Sequence, residues 1–139
     1  MPALAPITIA GLASKTGVDV EAIRSYERVG LIPKPRRGPG GYLLYRGEDL
    51  EIVTFIRRAT NLGFSLDSIA QLLGLADPRH VGDSCAATYE IARRQLVEIR
   101  HKIEELTRME RALSDLASSC PREGATADCP IIGSLLQAS

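Results

Sequence analysis

Residues 8–30 read TIAGLASKTGVDVEAIRSYERVG, and this stretch decides the fold. Apolar residues recur at helical spacing from Thr8 to Thr16, and Gly17 then marks a turn. Asp19 is a favourable N-cap for a second helix, whose apolar positions are Val20, Ile23 and Tyr26. Two short helices joined by a turn that contains glycine predict a helix-turn-helix.

A glycine-rich turn follows this unit. Gly30 ends the second helix, and the two prolines after it prevent the helix from resuming. Residues 36–42 form a glycine-rich tip between two β-favouring flanks, at Leu31-Ile32 and from Tyr42 to Tyr45. This pattern predicts a small β-hairpin, or wing.

The remainder of the chain is predicted to be mostly helical. Two helices are expected near Gly47–Leu62 and Ser65–Leu73, and a loop is expected around Asp77-Pro78. From about Ser84 to Ala117 there is neither glycine nor proline, and apolar residues alternate in steps of three and four. This predicts a coiled-coil helix of roughly 34 residues, on the order of 50 Å long. The stripe could pack on the N-terminal domain, but that domain is too small to cover it, so we expect a homodimer.

Charge and hydropathy narrow the functional classes. Formal net charge is zero, but residues 1–58 hold nine basic and six acidic residues, whereas the rest holds eight and eleven. A basic N-terminal part is consistent with contact to DNA, although ordinary charge scatter explains it equally well. No apolar run approaches the roughly 18 residues that span a bilayer, and no signal peptide is visible, so we expect a cytoplasmic protein.

Three cysteines, Cys85, Cys120 and Cys129, form a candidate metal site. Cys85 begins the long helix and Cys120 follows its end, so one intact helix cannot bring them to one ion. An antiparallel pair of helices can, because Cys85 of one subunit then meets Cys120 and Cys129 of the other, giving two equivalent sites per dimer. Three thiolates favour a soft cation over magnesium, calcium or manganese.

Other interpretations of these cysteines remain open at this point. Free cysteines are often small buried apolar residues. A structural zinc site would need a fourth ligand, for which His80 is a weak candidate and His101, in the middle of the helix, a poor one. A thiol enzyme with Cys85 as nucleophile and His80 as base has no further supporting signature, and we expect no catalysis.

These elements predict a mainly α protein, in which a winged helix-turn-helix DNA-binding domain is followed by a long antiparallel coiled-coil dimerisation helix. The expected divisions are a DNA-binding domain at 1–75, a linker at 76–83, a dimerisation helix at 84–118 and a C-terminal metal-binding loop and tail at 119–139.

The chain resembles the MerR family over nearly its whole length. The matching pieces are Ile9–Ala13, Gly17-Val18, Ile23–Leu31, Gly41-Tyr42 with Tyr45, and Leu62–Leu66, in that order and spacing. Two departures are visible: Ser25 stands where the family often has an aromatic residue, and Leu43 stands where an arginine follows the Gly-Tyr pair. Arg46 lies close enough in sequence to replace that arginine.

The resemblance implies binding to double-stranded promoter DNA. Side chains of the recognition helix would contact base edges, and cations of the wing would contact phosphates. The predicted DNA-binding residues are Lys15, Thr16, Arg24, Tyr26, Arg36, Arg37, Tyr42, Tyr45 and Arg46. Arg57 and Arg58 are as consistent with an ordinary surface position as with a phosphate contact.

The resemblance also implies a signal. A cysteine at the start of the dimer helix, with Cys-x8-Cys after the helix, is similar to the mercury-responsive members, so Hg(II) is the expected effector. Lead-responsive members have a similar arrangement, which leaves Pb(II) or Cd(II) as alternatives. In such regulators metal is expected to convert repression into activation by distorting a promoter whose spacer is too long for productive contact with RNA polymerase. A thiol redox switch is the remaining alternative, without the tighter four-cysteine cluster of the family's iron–sulfur sensors.

Overall fold

The computed structural model describes residues 5–137 of the chain, and it is predominantly helical. A two-stranded hairpin separates the helix-turn-helix from the remaining helices, as a winged fold requires. The helices and strands are α1 (Ile9–Thr16), α2 (Val20–Arg28), β1 (Arg36–Arg37), β2 (Leu43–Leu44), α3 (Asp49–Asn61), α4 (Leu66–Ala76), α5 (Ser84–Ser119) and α6 (Pro130–Leu136). The predicted mainly α, winged helix-turn-helix class is confirmed.

Local hydrogen bonds define the ends of the first two helices. The Thr8 side chain accepts from the Gly11 N–H at the start of α1, and the Asp19 carboxylate accepts from the Ala22 N–H at the start of α2, 2.8 Å away. Gly17 ends α1 in the left-handed conformation, with φ of 73°. Such caps satisfy backbone N–H groups that have no partner inside the helix. The N-cap predicted at Asp19 is therefore confirmed.

The first strand of the hairpin lies later in the chain than the sequence predicted, whereas β2 falls within the predicted flank from Tyr42 to Tyr45. β1 pairs antiparallel with β2, so that Arg36 is opposite Leu44, and the Gly38 N–H donates to the Tyr42 carbonyl across the turn. The prediction of an extended flank at Leu31-Ile32 was wrong. Ile32 is instead a buried anchor that is 2% exposed, and the prolines after it cannot donate to a strand ladder.

Two adjoining hydrophobic clusters hold the N-terminal part together. The first joins α1, α2, the hairpin and α3 through Leu12, Val18, Ile23, Ile32, Tyr45 and Val53. The second joins α3 to α4 through Ile56, Ala59 and Ile69. Tyr26 and Ile52 contact both clusters. Complete burial of each large side chain contributes on the order of 2 kcal/mol to the free energy of folding. The helix α2 and the wing are therefore fixed to a common core.

The α5 helix runs without interruption for 36 residues, as its lack of glycine and proline predicts. Spatial contacts divide the chain into two compact units, one ending at Ala92 and the other beginning at Arg93, so α5 contributes to both. Many of its apolar side chains are exposed in the single chain, namely Tyr89, Leu96, Val97, Ile103, Leu106, Met109 and Leu113. Within residues 5–137, none of the helices combines the length and apolarity that crossing a bilayer requires.

Candidate nucleic-acid interface and metal centre

The α2 helix presents a charged face opposite its buried anchor. Ile23 is completely buried, whereas the next residue, Arg24, has a side chain that is 55% exposed and loosely paired with Glu21 at 3.7 Å. Tyr26 is half-buried, and its pKa is raised by burial and by the charge of Asp19. An exposed ion pair of this kind contributes little to stability, so Arg24 is available to a ligand.

Tyr45 connects the wing to the recognition helix. Its side chain is 3% exposed, and its hydroxyl donates to the Glu27 carboxylate at 2.9 Å. Burial raises the pKa of Tyr45 to about 12, aided by the hydrogen bond to Glu27 and by the charge of Glu27, while Arg24 acts in the opposite direction. The neutral phenol therefore holds the end of the hairpin against α2.

The wing forms one side of an open, basic groove. The groove has a volume of about 650 Å³, and four of the side chains that line it are cations: Lys34, Arg36, Arg37 and Arg46. Glu48 is the carboxylate at its edge. At the tip of the hairpin Arg37 donates to the Gly41 carbonyl at 3.2 Å, and Tyr42 is 70% exposed. Four cations against one carboxylate favour an anionic ligand such as a phosphate backbone.

Two of the predicted DNA-binding side chains face inward. Thr16 is 2% exposed, and its hydroxyl donates to the Leu12 carbonyl and accepts from the Val18 N–H. Tyr45 is occupied by Glu27, as described above. These hydrogen bonds favour a supporting role for both residues over direct contact with DNA. Lys15, Arg24, Arg36, Arg37, Tyr42 and Arg46 are exposed, and Tyr26 is half-buried.

Arg57 has a structural role that the sequence did not reveal. Its guanidinium donates to the Thr16 carbonyl at 2.8 Å, and it thereby caps the C-terminal end of α1 from the neighbouring helix α3. A cation at this end of a helix also interacts favourably with the helix dipole. The two residues are 41 positions apart, so no local pattern could have paired them.

Cys120 and Cys129 lie together at the C-terminal end of the chain. Cys120 directly follows α5 and Cys129 directly precedes α6, and both thiols are half-buried. They share a small pocket of about 310 Å³ with the loop between them. The Ile132 N–H lowers the pKa of Cys129, burial opposes that change, and the Ile131 N–H and the Cys120 thiol lower it further.

Cys85 belongs to the first turn of α5, where it is exposed. Within the described part of the chain, no three His, Cys, Asp or Glu side chains are close enough together to hold an ion. One chain therefore presents a pair of thiols and a separate third thiol. The donor chemistry of these thiols fits a soft metal.

Two family models together cover residues 7–116 of the chain. Residues 7–75 match the model of the MerR HTH family regulatory protein, and residues 50–116 match the model described as MerR, DNA binding. The chain belongs to the MerR family. The two models describe DNA-binding regulatory proteins, so the chain is a MerR-family transcriptional regulator.

Individual MerR relatives are similar over nearly the whole chain. The mercuric resistance operon regulatory protein of Bacillus cereus is 41% identical, over 93% of this chain and 96% of its own length. The MerR regulator of Bacillus megaterium MB1, solved in complex with mercury(II), is 39% identical with a TM-score of 0.65, over 94% of this chain and 100% of that one. The regulator PbrR691 of Ralstonia metallidurans CH34, solved with lead(II), is 35% identical with a TM-score of 0.76, over 93% and 98%.

Proposed function

We propose that this MerR-family regulator responds to mercury(II), repressing a mercury-resistance promoter without metal and activating it when metal binds. The observation that carries the proposal is the adjacent pair of thiols, Cys120 and Cys129, which is incomplete as a metal site within one chain. Relatives that are named for mercuric resistance, at about 40% identity over almost the full chain, support this effector.

Cys85 of a second subunit supplies the third thiolate in this proposal. A helix of 36 residues is on the order of 50 Å long, so the start and the end of one α5 are too far apart to share an ion. In an antiparallel dimer the start of one helix lies beside the end of the other, which gives two sites of Cys85, Cys120 and Cys129. The residues 84–118 act as the dimerisation helix and 119–139 as the metal-binding loop and tail.

The DNA-binding domain, residues 1–75, contacts the operator through its exposed basic and aromatic side chains. Arg24, Tyr26 and Lys15 belong to the helix-turn-helix, and the cations of the basic groove contact phosphates beside them. The residues 76–83 link this domain to α5. Regulation requires the dimer to bind metal more tightly in its activating state than in its repressing state. Distorting a promoter costs a few kcal/mol, which the bonds between three thiolates and the metal can offset. RNA polymerase then engages the realigned promoter.

Mixed dimers test this arrangement directly. One chain carries Cys85→Ser, and the other carries Cys120→Ser together with Cys129→Ser. Neither variant alone should bind mercury(II) in the presence of excess competing thiol, whereas the mixed dimer regains one ion because one of its two sites is complete. Thiolate–metal absorption of the reduced protein measures the stoichiometry. No binding by the mixed dimer, with normal binding by the wild type, would place the site within one chain.

The same titration with lead(II), cadmium(II) and zinc(II) as competitors tests the identity of the effector. Lead(II) is the second candidate, because the neighbour PbrR691 was solved in complex with that ion. We expect mercury(II) to displace each competitor from the three thiolates. A preference for lead(II) or cadmium(II) would keep the architecture and change the signal. If no ion bound at all, the cysteines would revert to a redox role, which oxidant-dependent thiol labelling measures.

A further inference from the structure

Arg46 and Asp49 form a pair of hydrogen bonds at the foot of the wing. The Arg46 guanidinium donates to Oδ1 of Asp49 at 2.8 Å, and the Arg46 backbone N–H donates to Oδ2 at 3.1 Å. Asp49 is the first residue of α3 and is 1% exposed, while the side chain of Arg46 is 47% exposed. The carboxylate is thus fixed inside the fold, and the guanidinium reaches from it to the surface.

The guanidinium keeps most of its hydrogen-bonding capacity. One of its N–H groups is used by Asp49, and the others have no partner within residues 5–137. They border the groove that also holds Lys34, Arg36 and Arg37. Because a buried carboxylate without a partner is costly, Asp49 holds Arg46 in one geometry whether or not a ligand is present.

The pair also bears on the departure at Leu43. The MerR resemblance places an arginine at that position, and here Leu43 is an apolar residue of β2. Arg46 follows Tyr45, whose side chain faces the core, and successive residues of an extended segment point to opposite sides. By the same alternation residue 46 lies on the side opposite residue 43, so Arg46 does not take the place of the missing arginine. It adds a cation to the groove, which Leu43 does not line, and its long side chain must be held there.

We propose that Asp49 is a positioning residue that orients Arg46 for contact with a DNA phosphate. The proposal rests on DNA binding by this family and adds a residue that does not itself touch DNA. Orientation in advance removes the entropy loss that a free arginine side chain suffers on binding. Asp49 thus strengthens binding to a polyanion although it is itself negative, which is opposite to the effect of an ordinary carboxylate near DNA.

Fluorescence anisotropy of the full chain with a mixed-sequence DNA duplex tests this, because phosphate contacts do not depend on sequence. Asp49→Asn should weaken binding by about fivefold, since each subunit of the dimer loses one fixed side chain. Glu48→Gln is the matched control, because it removes the same charge one residue away, from a side chain that lines the groove and has no hydrogen bond to Arg46 within the described residues. It should leave affinity unchanged or raise it. Tighter binding by Asp49→Asn would overturn the proposal.

A double-mutant cycle separates positioning from a general structural effect. Once Arg46→Gln is present, adding Asp49→Asn should weaken binding no further, whereas additive losses would contradict the proposal. Arg46→Gln should also lower the slope of log K against log salt by about 0.9 for each phosphate that the protein no longer neutralises. If wild-type protein failed to bind DNA at all, the proposed function would fail rather than the role of Asp49.

Variants of Arg46 test the proposal even if Asp49→Asn does not fold. In these variants the buried Asp49 carboxylate keeps its hydrogen bond from the backbone N–H of residue 46. Arg46→Lys retains the charge but replaces the planar guanidinium by an ammonium that cannot bind a carboxylate and a phosphate in the same fixed geometry. We expect Arg46→Lys to bind about threefold more weakly than wild type, given the ordering cost of a free side chain. Wild-type affinity in this variant would show that charge alone is needed and would reject positioning.

Discussion

Tyr45 is buried to 97% yet carries a polar group, and its hydroxyl finds its partner, Glu27, on the recognition helix. Tyr45→Phe keeps the ring and removes this hydrogen bond. We expect it to lower the free energy of unfolding by about 1 kcal/mol near neutral pH, because the Glu27 carboxylate loses a donor. Urea denaturation followed by circular dichroism measures the loss. Tyr42→Phe, at a side chain that is 70% exposed, is the control and should change little.

The same bond predicts a dependence on pH. Folding raises the pKa of Tyr45 from 10.0 to about 12, so its contribution to stability is complete below pH 10 and is lost as the pH rises through 12. The difference in stability between wild type and Tyr45→Phe should therefore shrink over that interval. A difference that stayed constant from pH 9 to pH 12 would contradict the assignment of the raised pKa to Tyr45.

Residues whose role depends on near neighbours were predictable, and residues whose role depends on distant ones were not. The caps at Asp19 and Ser65 bond to N–H groups three positions later, so the sequence alone identifies them. The bonds of Tyr45 with Glu27 and of Arg57 with Thr16 span 18 and 41 positions. Tyr45 was consequently predicted as a DNA contact, although its hydroxyl donates to Glu27 inside the fold.

At the level of the helices, two glycines should respond oppositely to the same substitution. Gly17 ends α1 with φ of 73°, a conformation that alanine adopts only with strain, so Gly17→Ala should destabilise the fold by about 1 kcal/mol. Gly74 lies within α4 with open space around it, so Gly74→Ala should stabilise by about 0.5–1 kcal/mol. Thermal denaturation of the two variants measures both signs.

Gly17→Ser and Gly17→Asn provide the control for that comparison. Asparagine tolerates the left-handed region better than alanine or serine does, so it should recover part of the stability lost in Gly17→Ala. If Gly17→Ala were as stable as wild type, the turn would not require a left-handed residue. A loss of stability in Gly74→Ala would mean that the helix is crowded there.

Long elements, in which apolar residues recur with a regular period, were predictable from the sequence, whereas short elements were not. The 36 residues of α5 give many turns of evidence, and its bounds agree with the prediction within a few residues. The α6 helix has only 7 residues, fewer than a periodic pattern needs, and Pro130 at its first position was the available signal. The strands have 2 residues each, so their position depends on the turn between them rather than on β-propensity.

At the scale of the whole molecule, the exposed apolar stripe of α5 predicts that a charged residue placed in the stripe weakens association of the proposed dimer. Ile103 is 56% exposed in the single chain, and an antiparallel partner would bury it in both subunits. Ile103→Lys should weaken the dimer by at least about tenfold, since burial of two isoleucines is lost. Sedimentation velocity over a range of concentrations measures the shift toward monomer.

Glu104→Gln is the matched control, because it changes the net charge by the same +1 one residue away, at an exposed polar position. It should leave the dimer intact. Equal weakening by both variants would show that net charge, rather than the stripe, controls association. The proposed metal site has the same dependence on assembly. The sequence predicts its three thiols, but their grouping depends on contacts between two chains.

The shared core of the wing and the recognition helix has a consequence for the evolution of promoters. Because Ile23, Ile32 and Tyr45 belong to one cluster, the wing and α2, which we propose contact DNA, cannot shift separately without opening that cluster. Binding of the effector at a distant site would then move the DNA-binding domain of each subunit as a unit. The base preference of that domain would stay the same. Mutations in the operator bases and mutations in the spacer length should accordingly act independently, so that a promoter can adjust its strength and its inducibility one at a time.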